Sequence, residues 1–110
     1  MIKGIGCDIV DLRRLYPNLD KLANKILTSK EYEVYLSKKT TKHKCEFVGG
    51  RFAGKEAFFK AVGINEKLNT FKDIEILNDE NGKPFLNYPR CHISIAHENE
   101  YAIGYVIVEV

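Results

Sequence analysis

Three features of these 110 residues predict an α+β fold, with a long central helix packed on an antiparallel sheet. Helical periodicity dominates up to Gly63 and culminates in FVGGRFAGKEAFFKAVG at 47–63. Strand signals follow: Asn81-Gly82, a strong two-residue hairpin marker, then CHISIAH at 91–97 and YAIGYVIVEV at 101–110. A strand-like segment, MIKGIGCDIVD, opens the chain. The length suits a single small domain over residues 1–110 with a real core.

Strict alternation along the opening strand places Ile5, Cys7 and Ile9 on one face, taken as the core side, and Gly4, Gly6, Asp8 and Val10 on the other. Asp8 thus shares a face with two residues that lack side chains. Asp is unfavourable in strands, and glycines there mark close approach by a ligand or another backbone. A strand end with a solvated Asp accounts for the same residues.

Leu12–Lys39 reads as helix in two or three pieces, interrupted at Pro17. Leu19, Leu22, Ala23, Ile26 and Leu27 mark one apolar face, and Tyr32, Tyr35 and Leu36 the next. Thr28 or Ser29 can cap the second piece, with Glu31 in its dipole-favoured first turn. Thr40 or Thr41 is a plausible cap for the long helix, and Gly63 its terminator. Beyond it, Phe71–Leu77 alternates weakly, and Pro84–Tyr88 returns as its hairpin partner.

The long helix lacks the single oily stripe of a plain amphipathic helix. At about 100° per residue, Phe47, Val48, Phe52, Phe58, Phe59 and Val62 share a broad arc that also contains Arg51 and Lys55. Gly50, Gly54, Ala57 and Ala61 make a stripe poor in side chains, and Glu56 with Lys60 occupies a third face. Burying such charges is costly unless each is paired, which suggests a built site. A core helix whose cations reach out to water is the simpler alternative. The last strand is apolar on both faces, so the sheet is expected to oligomerise.

Net charge is only +2, yet residues 1–60 carry 13 Lys+Arg against 7 Asp+Glu, whereas residues 61–110 carry 4 against 8. A basic half fits an acidic partner, and fits a merely solvated face as well. Aromatic residues do not interleave with the cations as in a single-strand nucleic-acid groove. The sequence has no 18-residue apolar run and no signal-peptide pattern. The odd set of cysteines, Cys7, Cys45 and Cys91, has no metal-ligand spacing, which fits reduced thiols in a cytoplasm.

Asp8 and Glu56 are acids where acids are not structurally welcome, with Lys60 one turn on and further cations nearby. Two carboxylates with cations can hold Mg²⁺ on a diphosphate, since that ion takes its other oxygens from water and phosphate. A Glu–Lys pair at i,i+4 is also a common surface pair. His97 ends a strand on the side of Ile93 and Ile95, where a core or edge histidine is equally reasonable.

Four motifs in order, GIGCDIVDLRRL, GRFAGKEAFFKAVG, NGKP and SIAHENEYAI, cover essentially the whole chain. Together they resemble the holo-acyl-carrier-protein synthases, small phosphopantetheinyl transferases. The resemblance implies that family's fold, a homotrimer with active sites between subunits, and Mg²⁺-dependent chemistry. Phosphopantetheine would pass from coenzyme A to a serine hydroxyl of apo acyl carrier protein, releasing 3′,5′-ADP for fatty-acid synthesis. Asp8 and Glu56 match the family's metal ligands, and Lys60 the lysine at the diphosphate. The serine proton would go to Glu56, directly or through a metal-bound water. Arg51 and His97 match positions at the nucleotide phosphates, and Lys83-Pro84 a loop beside the nucleotide. Arg14 matches a residue that docks the carrier protein, and Lys21 and Lys25 lie where further basic contacts are expected. Cys7, Gly54 and Ala96 depart from common family residues without touching the metal ligands. The rival reading is a non-catalytic oligomeric module that binds an acidic protein or nucleic acid. It leaves Asp8, Glu56 and Lys60 unexplained.

Overall fold

The computed structural model describes residues 1–63 and 71–110. The chain runs β1 (Ile2–Asp11), α1 (Leu19–Ile26), α2 (Ser29–Ser37), α3 (Thr41–Val62), β2 (Ile76–Asn78), β3 (Pro84–Leu86), β4 (Cys91–His97) and β5 (Tyr101–Glu109). Short 3-10 turns occupy Leu12–Arg14, Tyr16–Asn18 and Phe71–Asp73. Strands β1, β5 and β4 form an antiparallel sheet in that order, and β2 pairs with β3 separately. This is the expected α+β architecture, with α3 lying on β1 and β5.

The helix ends follow from local chemistry. Thr40 caps α3 by accepting from the His43 N–H at 3.0 Å, and Gly63, at φ +89°, closes it with its own N–H on the Phe59 carbonyl. Thr28 caps α2 in a capping box with Glu31, each side chain accepting from the other's backbone N–H. The apolar face predicted for 19–27 is correct, with Leu19, Ala23, Ile26 and Leu27 buried. On α2 the inward residues are Glu31 and Tyr35, whereas Leu36 faces solvent. The polar Glu31 displaces the expected apolar stripe because it has buried partners, described below.

Helix and sheet meet backbone to backbone. A Cβ built on Gly6 would lie 1.9 Å from the Ala57 carbonyl oxygen, and one on Gly4 the same distance from that of Ala61. At Gly104 of β5 it would lie 2.6 Å from the backbone of Ala53 and Gly54. The alanines at 53, 57 and 61, one turn apart, form the helix side of this seam. Gly50 and Gly54 instead face the side chains of Ile76, Ile93 and Ile95.

This close approach reverses one expectation. The face of β1 bearing Gly4, Gly6, Asp8 and Val10 looks inward at α3, and Ile5, Cys7 and Ile9 look out, Cys7 being exposed. Alternation grouped these residues correctly but could not say which group faced inward. The bare glycines, not the larger residues, admit the helix.

On the outer face of the sheet β1 and β5 are apolar, and none of the described residues covers them. Ile5, Ile9, Tyr101, Ile103 and Tyr105 are all exposed there, whereas Ala102, Val106 and Val108 point into the core.

The hairpin is longer than a two-residue turn. The last strand pair is Asn78 with Pro84, and residues 79–83 connect them. The Gly82 N–H donates to the Asp79 carbonyl at 2.9 Å, and Gly82 itself adopts φ +84°. The Asp79 N–H donates to the Lys83 carbonyl at 2.9 Å, which leaves residues 80–82 as the loop, the common three-residue form of a turn followed by a positive-φ glycine. Asp79 enforces it, its Oδ1 accepting from the N–H groups of Asn81 and Lys83 at 2.9 Å each. The expected strand from Phe71 begins only at Ile76, after the 3-10 turn, and its partner ends at Leu86.

Candidate active site

Asp8, Glu56 and Lys60 come together where the β1 edge of the sheet meets α3. Gly4 and Gly6 let the helix settle on the strand, and the next inward position along β1 is Asp8. The Lys60 ammonium donates to Asp8 Oδ1 at 2.9 Å and to the Cys7 carbonyl at 3.1 Å. Its hydrogen bond to Asp8 raises the Lys60 pKa. Partial burial pushes the Glu56 carboxyl above the usual carboxylate range, and the Asp8 charge pushes it further, against the pull of Lys60. The Asp8 charge is thus near enough to be felt at Glu56. Lys60, half exposed, retains a third N–H for another acceptor.

Arg51 and His97 lie at the other edge, beyond β5. They share a cavity of about 510 Å³ lined also by Lys38, His43, Glu46 and Gly82. Arg51 is buried, donating from Nε to the Ile76 carbonyl at 3.1 Å and from Nη2 to Asn78 Oδ1. Its guanidinium lies over the Phe47 ring at 4.3 Å, a cation–π contact. Burial lowers its pKa to about 10, which leaves it a cation at neutral pH. His97 is an edge histidine, half exposed, with Nδ1 3.5 Å from Glu46 Oε2. Lys83 and Pro84 directly follow Gly82, which lines this cavity. Asp8 on β1 and His97 on β4 are separated by β5, roughly two strand spacings of about 4.8 Å each, with α3 between them. One copy of the chain does not bring the two groups into a single cleft.

Lys55 belongs to neither group. Its ammonium is fully buried and donates to Glu31 Oε1 and the Ile26 carbonyl, both at 2.6 Å, and to the Phe71 carbonyl at 3.0 Å. Glu31 in turn accepts from the N–H groups of Thr28 and Ile76. The pair ties α1, α2, α3 and β2 together and uses all three lysine donors. Sequence periodicity marked Lys55 as misplaced but held no signal for Glu31 as its partner. Arg14, Lys21 and Lys25 stand exposed on the turn at 12–14 and on α1. Lys21 also edges a cavity of about 390 Å³ with Tyr16, Asp20, Tyr35 and Lys44. Among the described residues no helix is long and apolar enough to cross a membrane.

Residues 4–106 match the model of the 4′-phosphopantetheinyl transferase superfamily. Among relatives, the holo-[acyl-carrier-protein] synthase of Anoxybacillus flavithermus is 45% identical, the alignment covering 99% of this chain and 97% of that protein. The crystal structure of a holo-(acyl-carrier-protein) synthase from Bacillus anthracis in complex with CoA (3′,5′-ADP) superposes with a TM-score of 0.90 at 45% identity. That match covers 99% of this chain and 97% of the other. The synthase of Neisseria meningitidis, 33% identical, covers 100% of both chains with a TM-score of 0.85. The chain belongs to the holo-[acyl-carrier-protein] synthase family.

Proposed function

We propose that this chain transfers 4′-phosphopantetheine from coenzyme A to a serine hydroxyl of apo acyl carrier protein, releasing 3′,5′-ADP. The observation that carries this reading is the meeting of Asp8, Glu56 and Lys60 at the β1–α3 edge, in a chain of this family. The rival binding module has no use for two facing carboxylates beside a lysine.

The donor set suits Mg²⁺: hard carboxylate oxygens, partly exposed, whose mutual repulsion a cation relieves. Asp8 and Glu56 would hold the ion, which supplies charge neutralisation and Lewis acidity at the diphosphate of coenzyme A. Lys60 turns its remaining N–H to a diphosphate oxygen and offsets the charge that grows on the leaving group. Glu56, directly or through a water, takes the proton from the carrier serine. The serine oxygen forms its bond to the phosphorus bearing pantetheine. The bond from that phosphorus to the bridging oxygen breaks, and 3′,5′-ADP leaves with the electron pair.

Arg51, His97 and the Lys83-Pro84 corner would bind the nucleotide end of coenzyme A, the cations meeting its phosphates. Their separation from Asp8 within one copy supports a site completed by a neighbouring subunit, and the exposed apolar outer face of β1 and β5 supports a homotrimer joined there. Arg14, Lys21 and Lys25 form a basic docking surface for the acidic carrier, acting mainly on encounter rate and choice of partner. We place the activity in the cytoplasm, where thiols such as Cys7, Cys45 and Cys91 stay reduced, in the service of fatty-acid synthesis.

The test mixes the chain with coenzyme A, Mg²⁺ and apo acyl carrier protein and reads the phosphopantetheine adduct by mass spectrometry. Adduct is expected with the wild type. It should be lost with Asp8→Asn and with Glu56→Gln, both of which should keep the wild-type circular dichroism and oligomer size. No adduct from the folded wild type and its cognate carrier refutes the transfer reading, and retained activity in either variant refutes the ligand assignment.

A further inference from the structure

We infer that Asn78 is a positioning residue for the nucleotide end of the site, a bridge that sets the 79–83 turn against Arg51. The inference rests on the proposed role of Arg51 and of Lys83-Pro84 at the nucleotide of coenzyme A.

The 79–83 turn is braced internally. Asp79 accepts from two of its N–H groups, the Asp79 N–H donates to the Lys83 carbonyl at 2.9 Å, and the Gly82 N–H closes back on the Asp79 carbonyl. It therefore moves as one unit, carrying Lys83 with it. Strand β2, from which the turn springs, is held to the helices at Ile76. The Ile76 N–H donates to Glu31 Oε2 at 2.7 Å, and its carbonyl accepts from Arg51 Nε at 3.1 Å.

Between this anchor and the turn stands Asn78. Its Oδ1 accepts from Arg51 Nη2, and its Nδ2 donates to the Gly82 carbonyl at 2.7 Å. A carboxamide has an acceptor on one side and a donor on the other, which suits it to join a cation to a carbonyl. Aspartate could keep only the first bond and alanine neither. Asn78, Arg51 and Gly82 all line the cavity of about 510 Å³. The bridge thus fixes both the rim of the cavity and the rotamer of its buried cation. Asn78 acts through Arg51 and the turn, without chemistry of its own.

The experiment measures steady-state kinetics of the full-length chain with coenzyme A, Mg²⁺ and apo acyl carrier protein, alongside thermal unfolding. Asn78→Ala is expected to raise KM for coenzyme A roughly fivefold or more, with kcat and the carrier KM within about twofold. Asn78→Asp keeps the partner of Arg51 and should keep wild-type stability, yet lose the Gly82 tether and show a similar rise. A role confined to folding would instead make KM follow stability. In the background of Arg51→Lys, Asn78→Ala should add little, because the two act as one unit. Wild-type KM for coenzyme A in the folded alanine and aspartate variants, equal rises in both substrate KM values, or additivity with Arg51→Lys would each overturn the bridge while leaving the transfer reading intact. A wild-type chain that makes no adduct would overturn both.

Discussion

Replacing Lys55 by methionine tests how much of the fold hangs on its buried ion pair. The side chain is fully buried, and all three of its donors are satisfied, by Glu31 and by the carbonyls of Ile26 and Phe71. Methionine fills similar space but leaves the Glu31 carboxylate buried without its cation and two carbonyls without their donor. Removing one partner of a buried pair costs about 3–5 kcal/mol, a large part of the 5–15 kcal/mol that is typical of folded domains, roughly speaking. With a urea m-value of about 1.5–2 kcal/mol/M, the midpoint should fall by roughly 2 M. Circular dichroism at fixed protein concentration reads it, since self-association would otherwise shift the midpoint. Adding Glu31→Gln removes the stranded charge, so the double variant should recover part of the loss. A shift below about 1 kcal/mol, or additive single effects, would refute the claim that the pair is coupled and structural.

Other perturbations probe the seam, the carboxylates and the docking surface. Gly6→Ala places a methyl against the Ala57 backbone carbonyl and should cost about 3 kcal/mol or more, because no rotamer relieves it. Gly50→Ala meets only the γ2 methyl of Ile95, at 3.0 Å, and should be near neutral by chemical denaturation, helix propensity of up to about 1 kcal/mol offsetting the small shift Ile95 must make. The raised pKa of Glu56 means that the native state binds its proton more tightly than the unfolded chain does. Its contribution is complete below the ordinary carboxylate pKa and is lost as pH rises through the folded value. With a metal chelator present, Glu56→Gln should therefore unfold at a higher temperature than wild type at pH 7, with the gap closing in acid; a pH-independent gap counts against the assignment. Arg14→Glu should raise KM for the carrier protein roughly tenfold at low salt, less at high salt, and leave that for coenzyme A in place. Equal effects on both substrates would exclude this surface as the dock.

What could be read from the residues was what local chemistry dictates. Thr28, Thr40 and Gly63 mark their helix ends because caps act within three or four residues. Asp8 with its glycines, and Glu56 with Lys60, stood out because they break the pattern of the elements that carry them. The structure joins Lys60 to Asp8 by a hydrogen bond and puts Glu56 near enough to feel the charge of both. The direction of the β1 faces was not legible, because alternation has no sign until a partner surface is known. Nor was the fate of Arg51 and Lys55. Their partners, Asn78 and Glu31, lie 27 and 24 positions away, and no local period encodes such pairings. Likewise the hairpin took its longer form from the side chain of Asp79, which a reading centred on Asn81-Gly82 overlooks.

The seam between α3 and the sheet has a consequence for how the family can change. Where elements are spaced by side chains, every core substitution nudges the distance between them, and an active site straddling the gap drifts with it. Here the spacing is set by main-chain atoms of residues 4, 6, 53, 57, 61 and 104 in direct touch. Two apolar clusters flank this contact, one around α1, α2 and the first half of α3, the other around its second half with β2 to β5. Either can trade leucine for isoleucine or valine and pay only in stability, because the seam acts as a mechanical stop. Asp8 on one side and Glu56 and Lys60 on the other keep their separation while the rest of the interior wanders.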